Sequence, residues 1–131
     1  MLMNLLFSFT GRIGHRQFWL DNLSIVVLVG LFLIVLMLIF PSEQLNNAYR
    51  NPERTNPATL PMWIGYLLLA IITTWITIAI SIKRFHDRGK SGWWCLIVLI
   101  PLIGPIWWLI ELGFLRGDPG PNTYGLPVVP A

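Results

Sequence analysis

The stretch LSIVVLVGLFLIVLMLIF, Leu23 to Phe40, runs for eighteen residues without a charge and is interrupted only by Ser24 and Gly30. An α-helix rises about 1.5 Å per residue, so this run extends roughly 27 Å, close to the thickness of a bilayer's hydrocarbon core. In lipid a helix satisfies its own backbone hydrogen bonds, which an irregular chain cannot do. The run therefore predicts a membrane-spanning helix. Moving outward along the chain, Met62 to Ile82 and Trp93 to Ile110 are also uncharged and long enough to span. The expected architecture is all-α, about three transmembrane helices joined by short loops in a single integral membrane domain covering residues 1–131, with an irregular tail over 116–131.

Composition agrees. Of the 131 residues, 55% are hydrophobic and 11% charged, against roughly 25% charged in a typical soluble domain. There is too little polar surface to cover a water-soluble core, and too much apolar content for a disordered chain. The single cysteine, Cys95, excludes a disulfide scaffold and lies in an apolar run, where a buried inert thiol is the simplest reading. The net charge is +3. Its nine Lys and Arg residues sit beside apolar runs, so topology control and anionic lipid, not nucleic acid, explain them. The N-terminus lacks a basic leader and a small-residue cleavage site, so the first run is expected to remain as an anchor.

The third run carries the sequence P-L-I-G-P from Pro101 to Pro105. Proline removes a backbone donor and clashes with the preceding turn. Two outcomes follow: a kinked spanning helix, or a re-entrant hairpin that turns within Leu102–Pro105 and returns the tail to its starting side. With three spans, Arg12, Arg16, Lys83, Arg84, Arg88 and Lys90 share one side, and Arg50, Arg54 and Arg116 the other. Short loops rich in Lys and Arg stay in the cytoplasm. That places the N-terminus inside and the C-terminus outside. Trp19, Trp63, Trp93, Trp94, Trp107 and Trp108 fall near the ends of the runs, as interfacial belts require. Trp75 lies within the second run and is read as a packing residue. Glu111, just past Trp107–Trp108, is expected to be hydrated at the outer interface. The Pro41–Pro61 connection reads as irregular and exposed.

Three polar groupings are candidate sites. Arg12, Arg16, Lys83, Arg84, Arg88 and Lys90 are expected to meet anionic head groups at the inner face. His15, His86 and Asp87 form a polar cluster among those cations, in which Asp87 should pair with an arginine to offset crowded positive charge. Thr73, Thr77 and Ser81 recur every fourth residue and lie on one face of the second helix, where hydroxyls promote helix packing or line a polar path. Gly89-Lys90-Ser91 has the ending of a phosphate-binding loop, but the first glycine of that motif would fall at 84, where Arg84 stands. His86 and Asp87 are too few for a metal site. No metal or cofactor is expected.

Three motifs carry a resemblance: Phe9 to Trp19, with Gly11, Arg12, Phe18 and Trp19; RFHDRGKSGWW, Arg84 to Trp94; and GDPGPNTYG, Gly117 to Gly125. Together they resemble domain-of-unknown-function family 805 of small bacterial inner-membrane proteins, over nearly the whole chain. The resemblance implies a multi-span helical membrane protein and supplies no activity or catalytic residue. In that family the last motif usually has a basic residue after Asn, where this chain has Thr123. The leading expectation is a non-enzymatic inner-membrane protein acting through membrane lipids, another membrane protein or a second copy of itself. The alternatives are a transporter or channel component using the hydroxyl stripe, and an interfacial enzyme using His86 and Asp87.

Overall fold

The computed structural model describes residues 8–39, 46–47, 49–51 and 59–128. Most of the connection from Pro41 to Pro61 lies outside the described residues, as do Met1–Phe7 and the last three residues of the tail. Among the described residues every regular element is helical. Helix α1 is His15–Ile39 and α2 is Thr59–Asp87. Both are long and apolar enough to cross a membrane, with mean hydropathies of 3.0 and 2.0 over their most apolar stretches.

Local sequence explains the ends of α2. Pro61 sits in its first turn, where backbone N–H groups have no intrahelical partner and proline's missing donor costs nothing. At the other end Gly89 adopts φ +65, a left-handed conformation that glycine adopts without a Cβ clash. Gly89 N–H then donates to the His86 carbonyl (3.0 Å) and Lys90 N–H to the Phe85 carbonyl (2.9 Å). This double closure is a Schellman cap, and it satisfies carbonyls that the helix end would otherwise orphan.

The third apolar run is not one continuous helix. Gly92–Leu99 forms a 3₁₀ helix, Ile103–Leu109 a short α-helix (α3), and Ile110–Phe114 a π-helical turn. Ser91 starts the first piece by accepting a hydrogen bond from Trp93 N–H. Pro101 interrupts it. Leu102 takes φ 65, ψ −55, and Ile103 N–H closes a three-residue turn on the Pro101 carbonyl at 2.8 Å, a γ-turn geometry that is rare because it crowds Cβ. The two pieces then lie against each other. Gly104 makes that approach possible: a Cβ there would overlap the Ile97 carbonyl.

The chain divides into two compact units. Ser24–Thr73 holds the C-terminal part of α1, the N-terminal part of α2 and the connection between them. Leu36 and Met62 are buried in it, and most of its large apolar side chains are exposed. Met1–Leu23 with Thr74–Ala131 forms the other unit. Its core is Ile13, Phe18, Ala79, Ile80, Phe85 and Leu112. Unusually, Lys83, Arg84, Asp87 and Glu111 are buried in the same unit. All the polar constellations below belong to it, apart from Thr73.

Candidate functional site: a charged knot at the end of α2

The KRFHDRGK sequence ends α2 and turns its charges inward. Asp87 is its centre. Arg12 lies 3.0 Å from Asp87 Oδ1, and Arg84 pairs with Oδ2 one turn earlier on the same helix. The side chains of Arg12 and Arg84 are 2% and 0% exposed. Burying three charges is tolerable only when each is paired and its remaining hydrogen-bond capacity is filled. The backbone supplies what is needed. Arg12 donates to the carbonyls of Asp118 (2.7 Å), Gly120 (2.9 Å) and Gly125 (3.2 Å). Arg84 donates to Leu112 O (3.0 Å) and to Leu115 O. A guanidinium offers five donors in a fixed plane, which suits it to gathering several carbonyls at once.

These bonds fasten the tail. Asp118 N–H donates to the Asp87 carbonyl at 2.8 Å. Gly117 is required, since a Cβ at that position would overlap the Asp87 carboxylate. Asn122 and Gly125 exchange backbone hydrogen bonds of 3.0 and 3.1 Å, closing the turn prescribed by GDPGPNTYG. Asn122 Nδ2 also reaches the His86 carbonyl (2.9 Å) and Asp118 Oδ2 (3.1 Å). Tyr124 stacks on His86, with ring centroids 3.8 Å apart and planes 4° apart. Thr123 therefore stands in a loop held by its neighbours' polar groups.

A second ion cluster joins the two ends of the third apolar run. Arg88 Nε lies 2.7 Å and Lys90 Nζ 2.5 Å from Glu111 Oε1. Arg88 also donates to the Arg116 carbonyl at 2.8 Å. Burial tends to raise the Glu111 carboxyl, but hydrogen bonds and charge from Lys90 and Arg88 outweigh it and hold the pKa below its ordinary value. The expectation of a hydrated Glu111 is corrected: its side chain is 4% exposed and lies beside Lys90. The reason is the break at Pro101–Leu102. A straight helix would separate the ends of the run by roughly 27 Å, whereas here they share one carboxylate oxygen.

The expected pairing of Asp87 is met by Arg12 and Arg84. The six cations divide. Arg12, Lys83 and Arg84 are turned inward, Arg88 and Lys90 are partly exposed, and Arg16 is exposed. His15 and His86 meet different partners: His15 contacts the Gly113 carbonyl, which also accepts from Trp19 Nε1 at 2.9 Å, and His86 faces the Gly11 carbonyl at 3.3 Å. In the hydroxyl stripe, Thr73 donates to Leu69 O (2.8 Å) and Ser81 to Thr77 O (2.7 Å), both within their own helix. Ser81 is buried, and Thr73 and Thr77 are half-buried. Trp75 packs edge-on against Phe9, at 5.1 Å between centroids.

Sequence reading missed two acids. Glu111 is buried where hydration is expected from the sequence. Asp21 went unremarked, although it accepts from Gln17 at 2.6 Å and its other carboxylate oxygen is buried without a hydrogen-bond partner. Lys83 is the cation whose charge it feels. A polar residue two positions before an apolar run was the available signal.

The family described as "Protein of unknown function (DUF805)" matches residues 6–126. The chain belongs to this family. It is 32% identical to the inner membrane protein YhaI of Escherichia coli K12, over 90% of this chain and 83% of that protein. It is 28% identical to the uncharacterized protein YiiR of the same strain, over 92% and 85%. A third relative, inner membrane protein YhaH of the same strain, is 40% identical over 46% of each chain. No solved structure matches. The family resemblance read from the three motifs is thus established, and two of these relatives are named as inner membrane proteins.

Proposed function

We propose that this chain is a two-span inner-membrane protein with both termini in the cytoplasm, whose third apolar segment enters and leaves the bilayer from the inner face. Its work is done by contact with anionic lipid and neighbouring membrane proteins, not by chemistry of its own. The observation that carries this reading is the shared carboxylate of Glu111, which brings Lys90 and the end of the third segment together. A re-entrant path also moves Arg116 to the inner side, leaving Arg50 and Arg54 as the outer cations, a stronger positive-inside bias than three spans would give. The two halves of the broken segment lie against each other, with Gly104 buried where they meet.

Non-enzymatic action is favoured by how the reactive-looking side chains are used. Asp87 neutralises two arginines, and His86 lies under Tyr124. The Thr73 and Ser81 hydroxyls donate to their own helix, which favours packing over conduction. Exposed Arg16 and the half-exposed Arg88 and Lys90 are the cations placed to meet head groups. Thermal unfolding in nanodiscs tests the reading. The Tm should be higher in phosphatidylglycerol than in phosphatidylcholine, and the difference should shrink with salt. Equal Tm values in the two lipids would contradict it.

A further inference from the structure

The knot carries more positive than negative charge, and the surplus lies in one place. Arg12, Arg84, Arg88 and Lys90 pair with only two acids, Asp87 and Glu111, and Arg116 and Asp118 add one charge of each sign nearby in the chain. Asp87 is consumed by the buried Arg12 and Arg84. Asp118 directs a carboxylate oxygen at Asn122, next to Gly89. That leaves Arg88 and Lys90 sharing a single oxygen of Glu111, with side chains 18% and 30% exposed. Arg116 is exposed, and its backbone carbonyl accepts from Arg88 at 2.8 Å, so the chain brings the backbone of a third basic residue to the pair. The Lys90 ammonium sits 5.1 Å from the centre of the Trp94 ring. Trp93 beside it is 78% exposed, and Phe114 on the opposite strand of the broken segment is also exposed.

We propose that Arg88, Lys90 and Arg116, at the base of the folded third segment, bind the phosphate of an anionic phospholipid whose acyl chains run alongside Trp93 and Phe114. The proposal deepens the lipid-contact reading above and rests on it. Three features select this chemistry. One carboxylate cannot neutralise three cations, so the group keeps a positive excess that attracts an anionic phosphate. The guanidinium and ammonium groups are prepaid in position by Glu111 and the Arg116 carbonyl, which lowers the cost of ordering them around a phosphate. Tryptophan beside the cations marks the head-group depth, where an amphipathic ring is most stable. A free phosphate offers the same oxygens but no acyl chains for the aromatic side chains to meet.

The test is native mass spectrometry of the full chain released from nanodiscs of mixed phosphatidylglycerol and phosphatidylcholine. Wild type should retain phosphatidylglycerol selectively. A near-surface cation contributes about 5-fold to binding an acidic lipid, so Lys90→Gln with Arg116→Gln should weaken retention by about 30-fold. Arg116→Gln alone, at an exposed side chain whose backbone contact to Arg88 is kept, should weaken it about 5-fold without altering the fold. Arg50→Gln, an exposed cation on the connection between the two long helices, should leave it unchanged. If Arg16→Gln abolishes selectivity and the Lys90/Arg116 changes do not, this site is wrong while the inner-face lipid reading stands. No selectivity in wild type would overturn both. Displacement of the lipid by millimolar inorganic phosphate, with stabilisation of lipid-free protein, would overturn the lipid assignment in favour of a soluble phosphate.

Discussion

Replacing Asp87 by Asn should cost this protein a large part of its stability. Asp87 is the acid between Arg12 and Arg84, and all three side chains are buried. The substitution keeps the shape and removes the charge. Arg12 and Arg84 would then face each other across an amide that can serve only one of them well. Breaking a buried ion pair from one side costs about 3–5 kcal/mol, because the remaining charge stays desolvated. The tail would also loosen, since Asp118 and Gly117 pack directly on residue 87. For a chain of this length about 1 kcal/mol shifts Tm by roughly 3–5 °C, so the midpoint in detergent should fall by roughly 10–20 °C. Asp118→Asn is the matched control. Its carboxylate accepts from Asn122 at 3.1 Å and is half-exposed, so a loss of under about 1 kcal/mol is expected. Thermal unfolding followed by near-ultraviolet circular dichroism would read both. Equal shifts for the two variants would refute the knot as the organising element of its unit.

Three further outcomes are expected. Glu111 is held below the ordinary carboxylate pKa by Lys90 and Arg88, so its contribution is present above that ordinary value and is lost as pH falls through the lowered one; Glu111→Gln should make the fall in Tm on acidification smaller than in wild type. Gly104→Ala should destabilise strongly, because its Cβ overlaps the Ile97 carbonyl, whereas Gly30→Ala meets open space and should gain up to about 1 kcal/mol from helix propensity; comparable effects on Tm would contradict the close approach of the two halves. Asp21→Asn and Lys83→Met should each destabilise singly and compensate in combination, since Lys83 is buried and one Asp21 carboxylate oxygen is buried without a hydrogen bond; additive losses in a double-mutant cycle would show that the two do not interact.

The two long helices were legible because an uncharged run of spanning length has few alternatives in lipid. The motifs were legible as a family signature and as a set of charges, and pairing of Asp87 with arginine followed from crowding alone. What the sequence could not supply was partner choice. Arg12 is 75 residues from Asp87, and its other acceptors are carbonyls of the tail. Backbone carbonyls look alike at every position, so nothing in the letters marks Gly120 or Gly125 as a ligand. The third segment was ambiguous for a different reason. P-L-I-G-P permits either a kink or a reversal, and the choice depends on whether the two halves can touch, which Gly104 decides through a contact with Ile97. The burial of Glu111 was hidden by the same ambiguity, since its surroundings depend on the path before it.

The most direct measurement concerns the sidedness of the C-terminus. Paired fusions of a cytoplasm-fluorescent reporter and a periplasm-active phosphatase after Ala131 would read it in intact cells, with fusions after Asn51 marking the outer connection. If the third segment returns to the inner face, the C-terminal fluorescent fusion is bright and its phosphatase partner silent, while the Asn51 fusions show the opposite. An active phosphatase at the C-terminus would mean that the segment crosses the bilayer. The ion cluster of Arg88, Lys90 and Glu111 could not then form.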